Sequence, residues 1–105
     1  MSALRSLSEQ VMLQTQILTP DSSGGQMRVW QDMALVWAEV RPASATEGTR
    51  LGGTTTRRFI KVFIRDRPDI VLPLRVIWDA KALRVLALRN RPMGRLEIEC
   101  EEILQ

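Results

Sequence analysis

The stretch from Gln16 to Pro42 reads QILTPDSSGGQMRVWQDMALVWAEVRP, and it contains two strands joined by a turn. Pro20 fixes φ at the end of the first strand, and Asp21 can bond to its own backbone. Gly24 and Gly25 follow, and glycine adopts positive φ without steric cost. The second strand runs over residues 34–41 and stops before Pro42. This stretch therefore predicts an antiparallel hairpin at the start of a β domain.

The rest of the chain alternates apolar and polar residues with a period of two, which is typical of strands with one buried face. Turn signals rich in Pro, Gly, Asn and Asp separate these runs. About six short strands at this spacing predict an all-β fold, a small antiparallel barrel or sandwich. A short N-terminal helix over Ser2–Leu13 is compatible with this pattern. The alternation places further strands at residues 60–65, 74–79, 83–87 and 95–101.

Apolar residues also occur on the polar side of several strands. A barrel needs only one apolar face, so a second one predicts additional burial, either in a protein–protein interface or under the N-terminal helix. Both explanations stay open. The residues concerned are Phe59 and Phe63 beside Lys61, Leu86 and Leu88 beside Arg84, and Leu35 and Trp37 in phase with Glu39 and Arg41.

The chain has 105 residues, which predicts one domain, with residues 1–10 as an extension and residues 11–105 as the β domain. No apolar run is long enough to span a bilayer, and residues 1–10 lack the apolar core of a signal peptide. We therefore expect neither secretion nor membrane association.

Histidine is absent and Cys100 is the single cysteine, which excludes His-dependent nucleophiles and the ordinary zinc sites. Cys100 falls on the apolar side of its strand, which predicts a buried thiol. Gly52-Gly53 is not followed by the Lys-Ser/Thr of a phosphate-binding loop. We therefore predict no catalytic residue, no metal ligand and no cofactor, and we expect that the protein is not an enzyme.

The formal net charge is +3, with 13 arginines against 2 lysines. This bias has two explanations, a GC-rich genome or contact with phosphates and carboxylates, for which the planar guanidinium is suited.

The order of parts resembles a known family, the small head–tail joining proteins of long-tailed bacteriophages, also called head completion or stopper proteins. The resemblance rests on a strand, the Gly24-Gly25 turn, Trp30-Gln31-Asp32 and the strand Val36-Trp37-Ala38-Glu39-Val40-Arg41-Pro42. It extends over residues 11–103. Two departures concern local turns: Ala80-Lys81 replaces a glycine usual after Trp-Asp, and the segment 43–56 is rich in Gly and Thr instead of longer and helical.

The resemblance implies a structural subunit of a ring at the head–tail interface of a phage, prophage or gene transfer agent particle, assembled in the host cytoplasm. Such a ring would seal the DNA-filled capsid, dock the tail and line the DNA channel, with six-fold symmetry favoured over twelve-fold. Its partners would be portal or adaptor proteins, tail terminator or tail tube proteins, and the packaged double-stranded DNA. The segment 43–56 would be a long flexible channel loop, with Glu47, Gly48, Arg50, Gly52 and Gly53 as its site residues.

Two charged strands are the remaining candidates for a subunit interface or a DNA-facing surface. The acidic edge would be solvated or lie in an interface, and in a ring it could face the basic strand of the next copy. The basic set is Arg57, Arg58, Lys61 and Arg65, and the acidic set is Glu97, Glu99 and Glu101, followed by Glu102. Stacking of bases on Phe59 and Phe63 would need both rings exposed. The alternatives that stay open are a tail terminator of the same assembly and a stand-alone nucleic-acid-binding β-barrel.

Overall fold

The computed structural model describes the backbone of residues 7–50 and 53–104 and the side chains of residues 7–42 and 58–102. Within these residues, the chain forms six strands that close into an antiparallel barrel in the order β1-β2-β3-β6-β5-β4. The predicted all-β class and barrel are confirmed. No helix of the described chain is long and apolar enough to cross a membrane. The strands are β1 (Glu9–Pro20), β2 (Gln26–Arg50), β3 (Gly53–Arg65), β4 (Leu74–Trp78), β5 (Lys81–Arg91) and β6 (Arg95–Leu104).

The barrel interior follows from the period-two pattern, because alternate residues of each strand point to the same side. Side chains that are fully buried include Leu13 on β1, Ile64 on β3, Leu83 on β5 and Ile98 on β6. Cys100 is also buried, as the sequence predicts. Ile70, from the segment that connects β3 to β4, packs against this core. That connection is the one link between consecutive strands that is not a hairpin, because β6 and β5 lie between β3 and β4.

A bulge in β5 changes which leucines face the core. Val85 pairs with Cys100 and Ala87 pairs with Glu99, so Leu86 is an extra residue in the ladder. An extra residue reverses the side to which the following side chains point. Leu88 therefore packs against the core, while Leu86 is 41% exposed. The prediction that Leu86 and Leu88 share the outer face is wrong for this reason.

The prediction of a flexible loop over residues 43–56 is also wrong, because the described backbone of this segment forms strands. Strand β2 continues past Pro42 to Arg50, and the register with β3 runs from Ser44↔Phe59 to Arg50↔Gly53. We call this hairpin, residues 44–59, the arm. Main-chain hydrogen bonds need no apolar side chains, and Thr54 to Thr56 are β-branched residues that favour strands. Residues 51–52 lie outside the described chain.

The N-terminal helix over Ser2–Leu13 is wrong from Glu9 onward, because β1 begins there. The backbone N–H of Ser8 already donates to the carbonyl oxygen of Ala38 at 3.1 Å, which extends the ladder by one residue. Residues 1–6 lie outside the described chain. In the described chain no helix covers the outer face of β2, where Leu35 is 57% and Trp37 is 55% exposed.

Candidate functional site

Lys61, Arg65, Glu97, Glu99 and Glu101 lie on the outer face of β3 and β6, which are neighbours in the barrel between β2 and β5. Cross-strand pairing aligns Glu39, Phe63, Glu97 and Arg89 in one row. The next row holds Arg41, Lys61 and Glu99. We call this surface the ionic face. Its acidic and basic strands are brought together within a single chain.

Carboxylates of the ionic face are buried although they point away from the barrel interior. Glu39 is 6%, Glu97 is 4% and Glu101 is 6% exposed. Glu97 and Glu101 are therefore not solvated, while their place in a subunit interface stays a prediction. Long arginine and lysine side chains lie over such carboxylates and keep their charged ends in water.

Ion pairs account for this burial. Glu97 lies 3.3 Å from Arg89, 3.6 Å from Arg91 and 3.8 Å from Lys61. Glu99 accepts a 2.9 Å hydrogen bond from Arg89. Because Arg89 donates to both glutamates, the pKa of its guanidinium is raised, chiefly through the hydrogen bond with Glu99. These contacts hold β5 and β3 to β6 from the outside.

We predicted that an acidic strand could face the basic strand of the next copy. In the structure, the basic strand β3 faces the acidic strand β6 within the same barrel. Arg58 Nη1 lies 3.5 Å from Glu102 Oε1, and their backbones are cross-strand partners. Pairing between subunits stays a prediction, and the acidic side chains it needs already have partners within the chain. The side chain of Arg57 lies outside the described residues.

Arg65 differs from the other cations of β3. It is exposed, and no ion pair or hydrogen bond engages its guanidinium within the described chain. The register places Arg65 beside Arg95, and Arg95 beside Arg91, so three arginines end three adjacent strands at one level. This arginine row at one end of the barrel is a feature of the strand register that the sequence does not reveal.

The aromatic side chains do not form the exposed pair needed for base stacking. Phe63 is 9% exposed, and the guanidinium of Arg41 covers its ring at 5.0 Å. Trp30 is likewise covered by Arg75 at 4.8 Å. Arg75 Nε donates to Gln14 Oε1 at 2.8 Å, and Gln14 Nε2 donates to Asp32 Oδ1 at 2.7 Å. Sequence reasoning missed this chain of contacts, because its members are brought together only by the pairing of β1 with β2 and β4.

Two grooves flank the barrel. The first, about 520 Å³, is lined by Trp30 and by Leu72, Pro73 and Arg75, with β5 on its other side. The second, about 870 Å³, opens where β3 leaves β2. Its lining includes Leu7, Trp37, Arg65 and Met93. The second groove joins an apolar surface to the end of the arginine row.

The turn between β1 and β2 is built around one carboxylate. Asp21 Oδ1 accepts hydrogen bonds from the backbone N–H of Ser23 at 2.9 Å and of Gly25 at 2.8 Å. These two bonds, the one from Gly25 first, lower the pKa of Asp21. Gly24 has φ +87°, which the left-handed region allows for glycine. The turn predicted at these residues is confirmed.

Two observations concern the cysteine and the candidate metal ligands of the described chain. Burial raises the pKa of Cys100 to about 12, which keeps the thiol protonated and unreactive. No group of three or more Cys, Asp or Glu residues in the described part is placed to hold a metal ion.

The predicted channel residues lie in the arm. The backbones of Glu47, Gly48, Arg50 and Gly53 are paired there, while Gly52 and the side chains of the segment lie outside the described residues.

Comparison with known proteins agrees with this architecture. A structure described as the virion of a native gene transfer agent particle contains a similar chain, with a TM-score of 0.70 and 24% identity over 92% of this chain and 94% of that one. The solution structure of protein SF1141 from Shigella flexneri 2a has a TM-score of 0.67 and 24% identity over 90% of each chain. These likenesses show a shared fold. No curated protein matches the sequence.

The family model of the phage head completion protein matches residues 4–103, almost the whole chain. This confirms the resemblance drawn from the Gly24-Gly25 turn and the strand through Trp37. It also establishes a structural role in a phage-like particle. The chain belongs to the phage head completion protein family.

Proposed function

We propose that this chain is one subunit of a ring at the head–tail interface of a phage-like particle, with six-fold symmetry favoured over twelve-fold. The ring seals the DNA-filled capsid, provides the docking surface for the tail and lines the DNA channel. The observation that carries this proposal is membership in the head completion family over residues 4–103. The action we propose is binding and gating, which is in keeping with a structural family.

The arm supports the channel role. The arm strand from Ser44 to Arg50 is roughly 20 Å long, at a rise of about 3.3 Å per residue. Such a ribbon extends a barrel subunit towards the axis of a ring without enlarging its core. Gly48 and Gly53 lie within it and allow the backbone to bend under load or contact. We infer that the arms of the ring contact and retain the packaged double-stranded DNA.

The partners follow from this position. A ring between head and tail meets portal or adaptor proteins on one side and tail terminator or tail tube proteins on the other. Many weak contacts repeated around a ring act together, so each interface can be small. The outer face of β2, with Leu35 and Trp37 exposed, offers one such contact surface.

Electron microscopy of particles from a strain lacking this gene tests the joining role. We expect separate tails beside tailless, empty or leaking heads, and restoration of tailed particles when the gene is supplied on a plasmid. Normally tailed particles from the deletion strain would contradict the proposal.

The channel role has its own test. Residues 48–55 are replaced by Asn-Gly, which joins Glu47 to Thr56, its cross-strand partner, without a change of register. We expect a folded barrel, assembled heads and loss of packaged DNA, measured as nuclease-sensitive DNA per particle. The control replaces residues 19–27 by Asn-Gly and joins Leu18 to its partner Arg28. Retention of DNA by the arm variant at the wild-type level would remove the gating role while leaving the joining role.

A further inference from the structure

The second groove, of about 870 Å³, lies at the point where the described side chains begin. Leu7 is the first of these side chains, and it lines the groove together with Trp37 and Met93. The backbone N–H of Ser8 donates to the carbonyl oxygen of Ala38, so the chain is still bound to β2 one residue after Leu7. The part of the chain that precedes Leu7 therefore joins the barrel inside this groove.

The second groove exposes large apolar side chains. Trp37 is 55% and Met93 is 72% exposed, and Leu7 beside them is half-buried. Apolar surface that is clustered in a groove commonly marks a site that another molecule, or a further part of the same chain, covers. We therefore expect an occupant that brings apolar side chains of its own.

Charge does not choose this occupant, because the groove carries both signs. Arg65 and Asp66 both line it and are exposed, and neither side chain has an ion pair or hydrogen bond among the described residues. Arg67 and Arg95 line the groove as well, but each donates to a carboxylate. A strongly acidic or strongly basic partner therefore gains no advantage, and apolar content and proximity decide.

Residues 1–6, Met-Ser-Ala-Leu-Arg-Ser, are the occupant that the chain itself supplies. Leu4 lies within roughly 10 Å of Leu7, at about 3.3 Å per residue, so it reaches the same groove. A short tether gives a segment an effective concentration on the order of millimolar, so weak apolar contacts are enough to hold it. Its one charged side chain, Arg5, offers a partner to Asp66. The family model also matches from residue 4 onward, so Leu4 belongs to the domain that the family shares.

We propose that residues 1–6 bind in the second groove, with Leu4 packed against Trp37 and Met93. The segment then covers part of the outer face of β2, which explains apolar side chains that a barrel does not need there. Leu35 lies on that face outside the described lining of the groove, and it stays available to partners in the particle. Binding of the segment is a property of the single chain and does not depend on the ring.

Photo-crosslinking in the full-length chain in solution tests the proposal. p-Benzoylphenylalanine replaces Leu4, and in a control it replaces Leu18, which is 58% exposed at the other end of β1. After irradiation, the linked peptides are identified by mass spectrometry. We expect position 4 to link within the same chain to the peptide of Trp37 or of Met93, and position 18 to link to neither. An adduct between two chains, an adduct at Trp78, which lies at a separate pocket, or no adduct would overturn the proposal.

A pair of variants gives a second readout. Trp37→Ala should remove most of the adduct formed from position 4, because it deletes the largest apolar side chain of the groove. Leu35→Ala is the matched control: it truncates an exposed residue of the same face outside the described lining, and its adduct should form at the wild-type yield. Circular dichroism checks that both variants are folded, as their exposed positions lead us to expect. Equal yields would contradict the groove as the binding site, whereas the joining role is decided separately by microscopy of the deletion strain.

Discussion

Arg95 Nη1 on β6 donates to Glu39 Oε1 on β2 at 3.1 Å, and so spans β3, which lies between the two strands. Glu39 also accepts a 2.6 Å hydrogen bond from Arg41 Nε on its own strand. The carboxylate is 6% exposed, whereas the side chain of Arg41 is 48% exposed. One covered acidic group thus engages two arginines, of which Arg41 lies over the ring of Phe63, and links strands that do not touch through their backbones.

Glu39→Gln should lower the free energy of unfolding by about 1–3 kcal/mol, since charge-assisted hydrogen bonds in a covered site contribute about that much. Urea titration followed by tryptophan fluorescence measures the change. Glu99→Gln removes the same charge from a side chain that is 28% exposed, and we expect a smaller loss there. Equal losses of unfolding free energy for the two variants would show that the burial of Glu39 does not strengthen its contribution to stability.

Leu88→Ala and Leu86→Ala test the bulge in β5. Leu88 packs against the core, so its truncation should cost about 2 kcal/mol or more. Leu86 is 41% exposed at the bulge, and its truncation should cost under about 1 kcal/mol. The two residues would be equivalent in a regular strand, because they are two positions apart. Similar costs in chemical unfolding would therefore contradict the bulge.

Ala80→Gly should stabilise the fold. Ala80 has φ 61° in the two-residue turn between Trp78 and Lys81, a conformation that costs an L-residue roughly 1 kcal/mol and glycine much less. We expect a gain of about 0.5 kcal/mol after allowance for the greater freedom of glycine in the unfolded chain. Ala82→Gly, two residues later within β5, should destabilise by a similar amount. A loss of stability from Ala80→Gly would contradict the turn geometry.

Asp21→Asn tests the lowered pKa of Asp21. A carboxyl whose pKa is lower in the folded than in the unfolded state stabilises the fold above its unfolded pKa, about 3.9, and loses that contribution as the pH falls through the folded value. The variant should therefore melt below the wild-type chain at pH 7, and the difference should shrink as the pH falls towards 2. Thermal melts over this range measure it, and a difference independent of pH would contradict the charge-based explanation.

Much of the barrel is readable in the sequence, because strands with one buried face repeat their pattern over short distances. The alternation through Ile60, Val62 and Ile64 predicts the buried side of β3, and all three are buried. Predictions from this alternation fail where the pairing between strands departs from what the apolar pattern indicates. Leu86 is exposed because it is an extra residue in the ladder between β5 and β6. The arm is a hairpin because the backbones of β2 and β3 stay paired beyond the last apolar side chains.

The ionic face likewise combines features that the sequence predicts with features that depend on the fold. Charged residues on β3 and β6 are visible in the sequence, but their partners depend on which strands are neighbours. Glu97 is covered only because β6 lies between β3 and β5, which brings Lys61 and Arg89 to it from both sides.

The sequence by itself determines that this chain is an all-β protein of the head completion family, with a Gly24-Gly25 hairpin, a buried Cys100 and no histidine chemistry. Period-two patterning and turn residues act through neighbours in the chain, so they can be read without the fold. The tertiary structure alone decides that β3 pairs with β6 and that Glu39 and Glu97 are covered. These properties arise between residues far apart in sequence, where the closure of the barrel, and not local preference, sets which side chains and which backbone groups meet.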